Sequence, residues 1–293
     1  MPTVFRAPVT TPAAARATRG RRTPLVSLLT DFGSRDPSAA ICRGVVLEIA
    51  PRARVIDISH DVARYSIQDG ALVLWCALPY LPIGVHMAVV DPGVGTERLP
   101  IALEVARGDL LVGPDNGLLV PAAERLGGVL RAHVLEREEY RLPAVSASFH
   151  GRDVFAPAAA HLALGVPLEA FGRPLDAGSL IRLDLPVPEV RPGELRTSVV
   201  YVDTFGNVKL SGEAADLGAA LGEPEFGTLL QLELGTPGRQ VRVRWAPTFG
   251  AVEAGAPLCY EDSYGRLCVA VNRGDAAARF GLAPGTRVTL RRA

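Results

Sequence analysis

The apolar positions of this chain fall into two textures that meet near residue 183. In the first, short apolar runs alternate with stretches whose apolar residues recur at helical spacing. Leu25 to Thr30 has the pattern of a buried strand and ends in Asp31-Phe32-Gly33. Asp36-Pro37 then reads as a helix start, with Asp36 as N-cap and proline at the first helical position. Ile41, Val45, Val46 and Ile49 share one face of that helix. Arg54 to Ile58 predicts a second strand. Ser66 and Asp69 form a capping-box-like start to a second helix, whose buried face carries Ile67, Ala71, Leu74, Trp75 and Leu78. Gly84 to Val90 is a third strand, leading into Asp91-Pro92-Gly93-Val94-Gly95. Strands near Ile101–Val105 and Leu110–Val112 precede the turn signal Pro114-Asp115-Asn116-Gly117. A helix capped by Asp153 runs to Leu164 and stops at Gly165. Strands alternating with helices predict an α/β domain over residues 25–183, a β-sheet flanked by helices.

The second texture follows a proline-rich connector, residues 184–195. Ser198–Asp203, Leu229–Leu234, Val241–Trp245, Leu267–Val271 and Arg287–Leu290 read as strands. Val241, Val243 and Trp245 alternate with Arg242 and Arg244, the period of a half-exposed strand. A smaller, mostly antiparallel β domain is therefore expected over residues 196–293. Residues 1–24 stand outside both textures. They are rich in Ala, Pro, Thr and Arg, hold no acidic residue and have no period, as a disordered extension would.

Composition narrows the function. At 293 residues and 48% hydrophobic, the chain can build two packed cores. Its 31 basic residues equal its 31 acidic ones, so it lacks the basic footprint of a nucleic-acid binder. No apolar run is long enough for a membrane span, and a soluble, cytoplasmic protein is expected. Cys42, Cys76, Cys259 and Cys268 are scattered and the histidines unclustered. That spacing reads as free thiols in a reducing cytosol, with neither a zinc site nor a disulfide framework.

Four polar clusters sit where strands end or loops turn. In Thr30-Asp31-Phe32-Gly33-Ser34-Arg35-Asp36, Asp31 is placed to accept hydrogen bonds from ribose hydroxyls, or else both aspartates only cap backbone amides. In Asp91-Pro92-Gly93-Val94-Gly95-Thr96-Glu97-Arg98, two glycines admit close approach of a ligand, and Asp91 with Arg98 forms a reactive pair or a surface ion pair. Ser148-Phe149-His150-Gly151-Arg152-Asp153 offers a loop histidine, catalytic or structural. The β domain adds Asp203-Thr204-Phe205-Gly206-Asn207, Ser263-Tyr264-Gly265 and Asn272. Asparagine can pair with an adenine edge, an aromatic can cover its face and aspartate can hold an ammonium group, though each residue also suits a turn.

Taken in order, TDFGSRD, VIDISHD, VVDPGVGTER, GPDNGLL, SFHGRD, YVDTFGNV and AVNRGDAA resemble the S-adenosyl-L-methionine hydroxide adenosyltransferase family, relatives of the fluorinases and chlorinases. The resemblance runs from about Leu25 to the C-terminus. It implies an α/β N-terminal domain, a β-barrel-like C-terminal domain, and a homotrimer with active sites between the N-terminal domain of one subunit and the C-terminal domain of the next. The C5′–sulfonium chemistry requires no metal, and no cofactor is expected.

By the same resemblance Asp31 binds the ribose diol and Tyr65 packs against the nucleoside. Asp36, Asp203 and Ser263 hold the methionine amino and carboxylate groups. Asn207 and Asn272 meet the adenine edge, with Phe205 and Phe249 lining its faces. Asp91, Arg98 and His150 match the catalytic set of the hydrolytic branch. The halogenating relatives differ at Asp91 and His150, carrying tyrosine at the former. They also carry tryptophan at Tyr65, arginine at Tyr264, and an insertion that this chain lacks between Glu104 and Leu111. Hydrolysis of S-adenosyl-L-methionine to adenosine and L-methionine is the expected reaction, with His150 a candidate to take a proton from water while Asp91 and Arg98 position it. A halogenase, a non-catalytic S-adenosylmethionine sensor and a metal-dependent hydrolase built on Asp31, Asp36, Asp91 and His150 are the competing readings.

Overall fold

A computed structural model describes residues 24–235 and 238–293. The stretch expected as a disordered extension lies, up to residue 23, outside the described residues. The described residues divide into two compact units that meet in sequence between Leu183 and Asp184.

The first unit is built on strands β1 (Leu25–Thr30), β2 (Arg54–Ser59), β3 (Val85–Val89), β4 (Pro100–Val105), β5 (Leu110–Pro114), β6 (Val129–Val134) and β7 (Pro174–Leu175). They form one sheet in the order β2-β1-β3-β5-β4-β6-β7. The pairings β2–β1, β1–β3 and β3–β5 are parallel, and those from β5 through β7 antiparallel. Helices cover both faces, so every residue of β1 is buried and the strand reads as an unbroken apolar run. Val26 and Leu28 face a core shared with helices α1 (Ser38–Ile49) and α4 (Ala156–Ala163). Leu29 faces the opposite core, with helices α2 (Ile67–Ala77) and α3 (Val120–Arg125). Truncating a residue as buried as Leu28 to alanine costs about 2–5 kcal/mol.

A buried polar staple crosses this sheet. Ser27 Oγ meets His86 Nδ1 at 2.7 Å, and His86 Nε2 meets Asp109 at 3.0 Å. Burial pushes the Asp109 carboxyl up, but hydrogen bonds and charge from His86 and Arg107 outweigh it and hold it at about 2. Although serine, histidine and aspartate stand in line, all three are closed off from solvent and serve β1, β3 and the β4–β5 turn structurally.

Three local expectations need correction. Helix α1 begins at Ser38 with Pro37 in the cap position, and Asp36 instead accepts the Ser38 amide at 2.8 Å just ahead of it. Its buried stripe is Ala39, Cys42 and Val46, which leaves Ile41 exposed. Asp153 is no N-cap. It lies inside a π-helical turn, Gly151–Phe155, that runs straight into α4, and it accepts hydrogen bonds from the Ser146 amide and hydroxyl and from Arg152. A buried carboxylate there ties the 146–150 loop to the helix, a stronger demand than an exposed cap would make.

The second unit comprises β8 (Glu189–Arg191), β9 (Glu194–Val202), β10 (Val208–Glu213), helix α5 (Ala214–Leu221), β11 (Leu229–Leu234), β12 (Arg239–Trp245), β13 (Pro257–Glu261), β14 (Arg266–Val271), helix α6 (Ala276–Phe280) and β15 (Arg287–Arg292). The order β10-β14-β13-β12-β11-β15-β9 closes through a β10–β9 pairing into a seven-stranded barrel, with β8 added outside on β9. All pairings are antiparallel except β12–β13. Closure removes the exposed edges that an open sheet of this size would carry. Leu195, Val199, Leu210, Leu232, Val243, Leu267 and Leu290 fill its interior. Among the described residues no helix is long and apolar enough to cross a membrane.

Candidate active site

In parallel sheets ligands gather beyond the carboxyl ends of the strands, where strand order changes. Asp31 directly follows β1, and Asp91 stands two residues past β3. The two strands are paired, with Thr30 opposite Val89, so the aspartates emerge side by side. Asn116, from the loop after β5, donates from Nδ2 to the carbonyl of Val90 at 2.9 Å and fixes the backbone next to Asp91.

Arg98 returns to Asp91 across a tight turn. Its Nε donates to both carboxylate oxygens at 3.0 Å, and its Nη2 donates to Oδ2 and, at 2.9 Å, to His150 Nδ1. The Asp91 and Arg98 side chains are only 6% and 7% exposed. Arg98 Nη1 is also buried and has no hydrogen-bond partner among the described residues. Gly95 allows this packing. Its φ is +79°, and a Cβ there would lie 2.7 Å from the Ala147 carbonyl, so the 91–98 turn presses on the loop that delivers His150.

The His150 contact fixes a tautomer. A guanidinium has no acceptor, so Nδ1 must present its lone pair to Arg98, and the proton of the neutral imidazole sits on Nε2. Burial first, and the Arg98 charge second, lower the His150 pKa from its ordinary value against the opposing pull of Asp91. His150 is thereby set up as a neutral N–H donor. The expectation that it takes a proton from water does not suit this geometry, because its free nitrogen already carries one.

A cleft of about 330 Å³ adjoins the trio, lined by Asp31, Phe32, Asp36, Tyr65, Asp91 and Phe149 among others. Phe32 and Phe149 meet edge to face at 5.7 Å and form its apolar wall. Asp31 Oδ2 accepts the Tyr65 amide at 2.8 Å. Tyr65 holds a left-handed backbone, φ +63°, and is 73% exposed, a strained and solvated position for a large aromatic. Ser38 hydrogen bonds hold the exposed Asp36 carboxyl below its usual range. The first unit therefore gathers Asp31, Asp36, Tyr65 and Asp91 on one cleft, with Arg98 and His150 joined to it through Asp91. Sequence reading had passed over Phe32 and Phe149 as cleft-lining residues, although both lie inside motifs it singled out.

In the second unit the candidates form three small groups. Asp203 Oδ1 accepts the amides of Phe205 and Asn207, and Oδ2 accepts from Asn207 Nδ2, all at 2.9 Å. Gly206, at φ +78°, completes this loop, and a Cβ there would lie 2.0 Å from the Asp275 carboxylate. Phe205 projects outward, 75% exposed. Asn272 donates to the Val252 carbonyl at 2.8 Å, and Phe249 packs on Tyr260 with ring centroids 5.0 Å apart. Ser263 is exposed on the β13–β14 turn, where Asp262 Oδ1 accepts the amides of Tyr264 at 2.8 Å and Arg266 at 3.0 Å. Among the described residues no group of three or more His, Cys, Asp or Glu side chains is arranged to hold a metal ion.

Known proteins match both units. The SAM hydroxide adenosyltransferase N-terminal domain matches residues 26–172, and the C-terminal domain of the same family matches residues 197–289. The chain is 47% identical over 270 residues to a protein of Salinispora tropica named (R)-S-adenosyl-L-methionine hydrolase, covering 92% of this chain and 98% of that one. A protein of the same name from Salinispora arenicola is 44% identical, with the same coverage of both chains. Fluorinases match at lower identity, 30% for that of Nocardia brasiliensis over 94% of this chain and 98% of that one. A solved structure of an uncharacterized conserved protein from Thermotoga maritima superposes with a TM-score of 0.85 at 33% identity, covering 91% of this chain and all of that one. With both of its domains matched in chain order, the chain belongs to the SAM hydroxide adenosyltransferase family.

Proposed function

We propose that this chain hydrolyses S-adenosyl-L-methionine to adenosine and L-methionine by attack of water at ribose C5′. The observation that carries the reading is the Asp91–Arg98–His150 contact beside a cleft that also presents Asp31, in a chain 47% identical to a named hydrolase of this substrate. The C5′–sulfur bond needs no general acid, because its electron pair returns to a sulfonium and methionine leaves as a neutral thioether. The site has only to hold a water in line with that bond, about 3–3.5 Å from C5′, and to accept its proton.

Asp91 is the member of the trio that lines the cleft, and its carboxylate takes the proton as the new C–O bond forms. Arg98 aims that carboxylate through hydrogen bonds to both of its oxygens. His150 donates from Nε2 to orient the water or the developing hydroxyl. A carboxylate at this place repels an incoming halide, which favours water over halogenation.

In the rest of the site Asp31 holds the ribose diol and Tyr65 covers the nucleoside. Asp36, Asp203 and Ser263 meet the amino-acid end, and Asn207, Asn272, Phe205 and Phe249 surround adenine. These roles are divided between two units, which suits a homotrimer in which neighbouring subunits complete each site. The four free cysteines suit the reducing cytoplasm.

The test is incubation of the purified protein with S-adenosyl-L-methionine and chromatography of the products. Equal amounts of adenosine and methionine are expected. Tight binding without turnover would make the protein a sensor instead.

A further inference from the structure

The chain contains a single lysine, Lys209, among 31 Lys and Arg residues. In a sequence that uses arginine everywhere else, this one cation is also buried, with 9% of its surface exposed. It sits on β10 two residues beyond Asn207, opposite Cys268 of β14 and Tyr201 of β9. Its ammonium pairs with Asp262 Oδ2 and lies 4.8 Å from the centroid of the Tyr264 ring. Asp262, also 9% exposed, uses its other oxygen to accept the amides of Tyr264 and Arg266. One lysine thus neutralises the carboxylate that shapes the turn bearing Ser263, and it packs on the aromatic that follows.

A guanidinium is broader than an ammonium and makes planar, forked contacts, whereas a compact point charge fits between one carboxylate oxygen and one ring face. Buried ion pairs of this kind add little net stability over an apolar pair, so stability alone is a weak reason to keep one. They do fix geometry, and the geometry fixed here is that of an exposed turn at the barrel end.

We propose that Lys209 is a positioning residue for the amino-acid end of the substrate, acting through Asp262 to set the Ser263–Tyr264 turn. The proposal rests on the functional reading above and adds to it a residue that touches no reacting atom. Lys209 lies between the 203–207 loop and the 262–266 turn, so it aligns the two groups of residues assigned to the ammonium and carboxylate of methionine. Its loss weakens recognition of the amino-acid end and leaves the nucleoside end and the chemistry alone.

The experiment measures kcat and KM for S-adenosyl-L-methionine, together with the inhibition constant of adenosine, for the wild-type protein, Lys209→Met and Asp262→Asn. Asp262→Asn keeps an oxygen for the two turn amides and serves if Lys209→Met does not fold. The expected result is a KM raised about tenfold, kcat within twofold, and an unchanged adenosine constant, because adenosine lacks the amino-acid end. A general loosening of the barrel would weaken adenosine and the substrate alike, and that outcome overturns the proposal. So does an unchanged KM in both variants while the wild type turns over. If the wild type neither binds nor cleaves S-adenosyl-L-methionine, the functional reading itself falls, and this assignment with it.

Discussion

The loops beyond β1 and β3 and the loops at the barrel end handle their polar groups in opposite ways. In the first unit His150 joins the Asp91–Arg98 pair from 52 residues along the chain and the three satisfy one another, with the Asp91 carboxylate lining a cleft and one Arg98 nitrogen buried. At the barrel end Asp203 binds the amides of the next few residues, and Asp262 does the same with one oxygen while Lys209 takes the other. The first arrangement concentrates charge where a reacting atom can sit. The second turns charge into backbone shape and presents neighbouring side chains. On the proposed reading, damage to the Asp91–Arg98–His150 group appears in kcat and damage to the barrel-end loops in KM.

The largest effect that would break this contrast is at Asp91. Asp91→Asn should lower kcat by about 10³-fold, within the range of general-base contributions, with substrate affinity changed by less than about threefold. Steady-state kinetics with calorimetric binding checks it, and a variant that loses binding but keeps kcat would place Asp91 with the recognition residues. Next in size is Asp203→Asn, expected to raise KM about tenfold and to leave kcat within about threefold, since the proposed reading assigns its charge to the substrate ammonium and not to C5′. A fall in kcat matching that of Asp91→Asn would erase the distinction between the regions.

The pH profile sharpens the role of His150. Its pKa is lowered, so the neutral form persists to more acid pH than for an ordinary histidine. Activity should be flat above neutrality and fall as pH drops through a value below 6.5. His150→Gln, which keeps an N–H near the Nε2 position, should retain more activity than His150→Ala and should lose that acidic limb. A glutamine variant as inactive as the alanine one would restore histidine as the proton acceptor. The smallest effect is at Tyr65. Tyr65→Gly relieves a left-handed backbone worth about 1–2 kcal/mol and should raise the melting temperature by a few degrees while raising KM several-fold. Unchanged stability would mean the loop absorbs the strain elsewhere.

How much of this was legible in the sequence follows from the same contrast. The parallel strands are buried on both faces, so apolar runs such as Leu25–Thr30 announced them, and helical spacing announced α2. Barrel strands β10 and β13 were missed, because Lys209 and Ser211 interrupt one and Pro257 opens the other. The short helices α5 and α6 offered too few turns for a period to emerge. Edge strand β8 lies inside the proline-rich stretch read as a connector. The family resemblance singled out Asp91, Arg98 and His150, but not the hydrogen bonds among them. That Arg98 faces Nδ1 of His150 is set by the packing of Gly95 against Ala147, a contact across 52 residues that no local pattern carries. Lys209 carried no motif at all.

The most direct test of the central claim is turnover of S-adenosyl-L-methionine in ¹⁸O-labelled water, with mass spectrometry of both products. Attack at C5′ predicts one labelled oxygen in adenosine, at the 5′-hydroxyl, and none in methionine. Label in the amino-acid product, or adenosine formed without label, would contradict water attack at C5′ and the roles given to Asp91, Arg98 and His150.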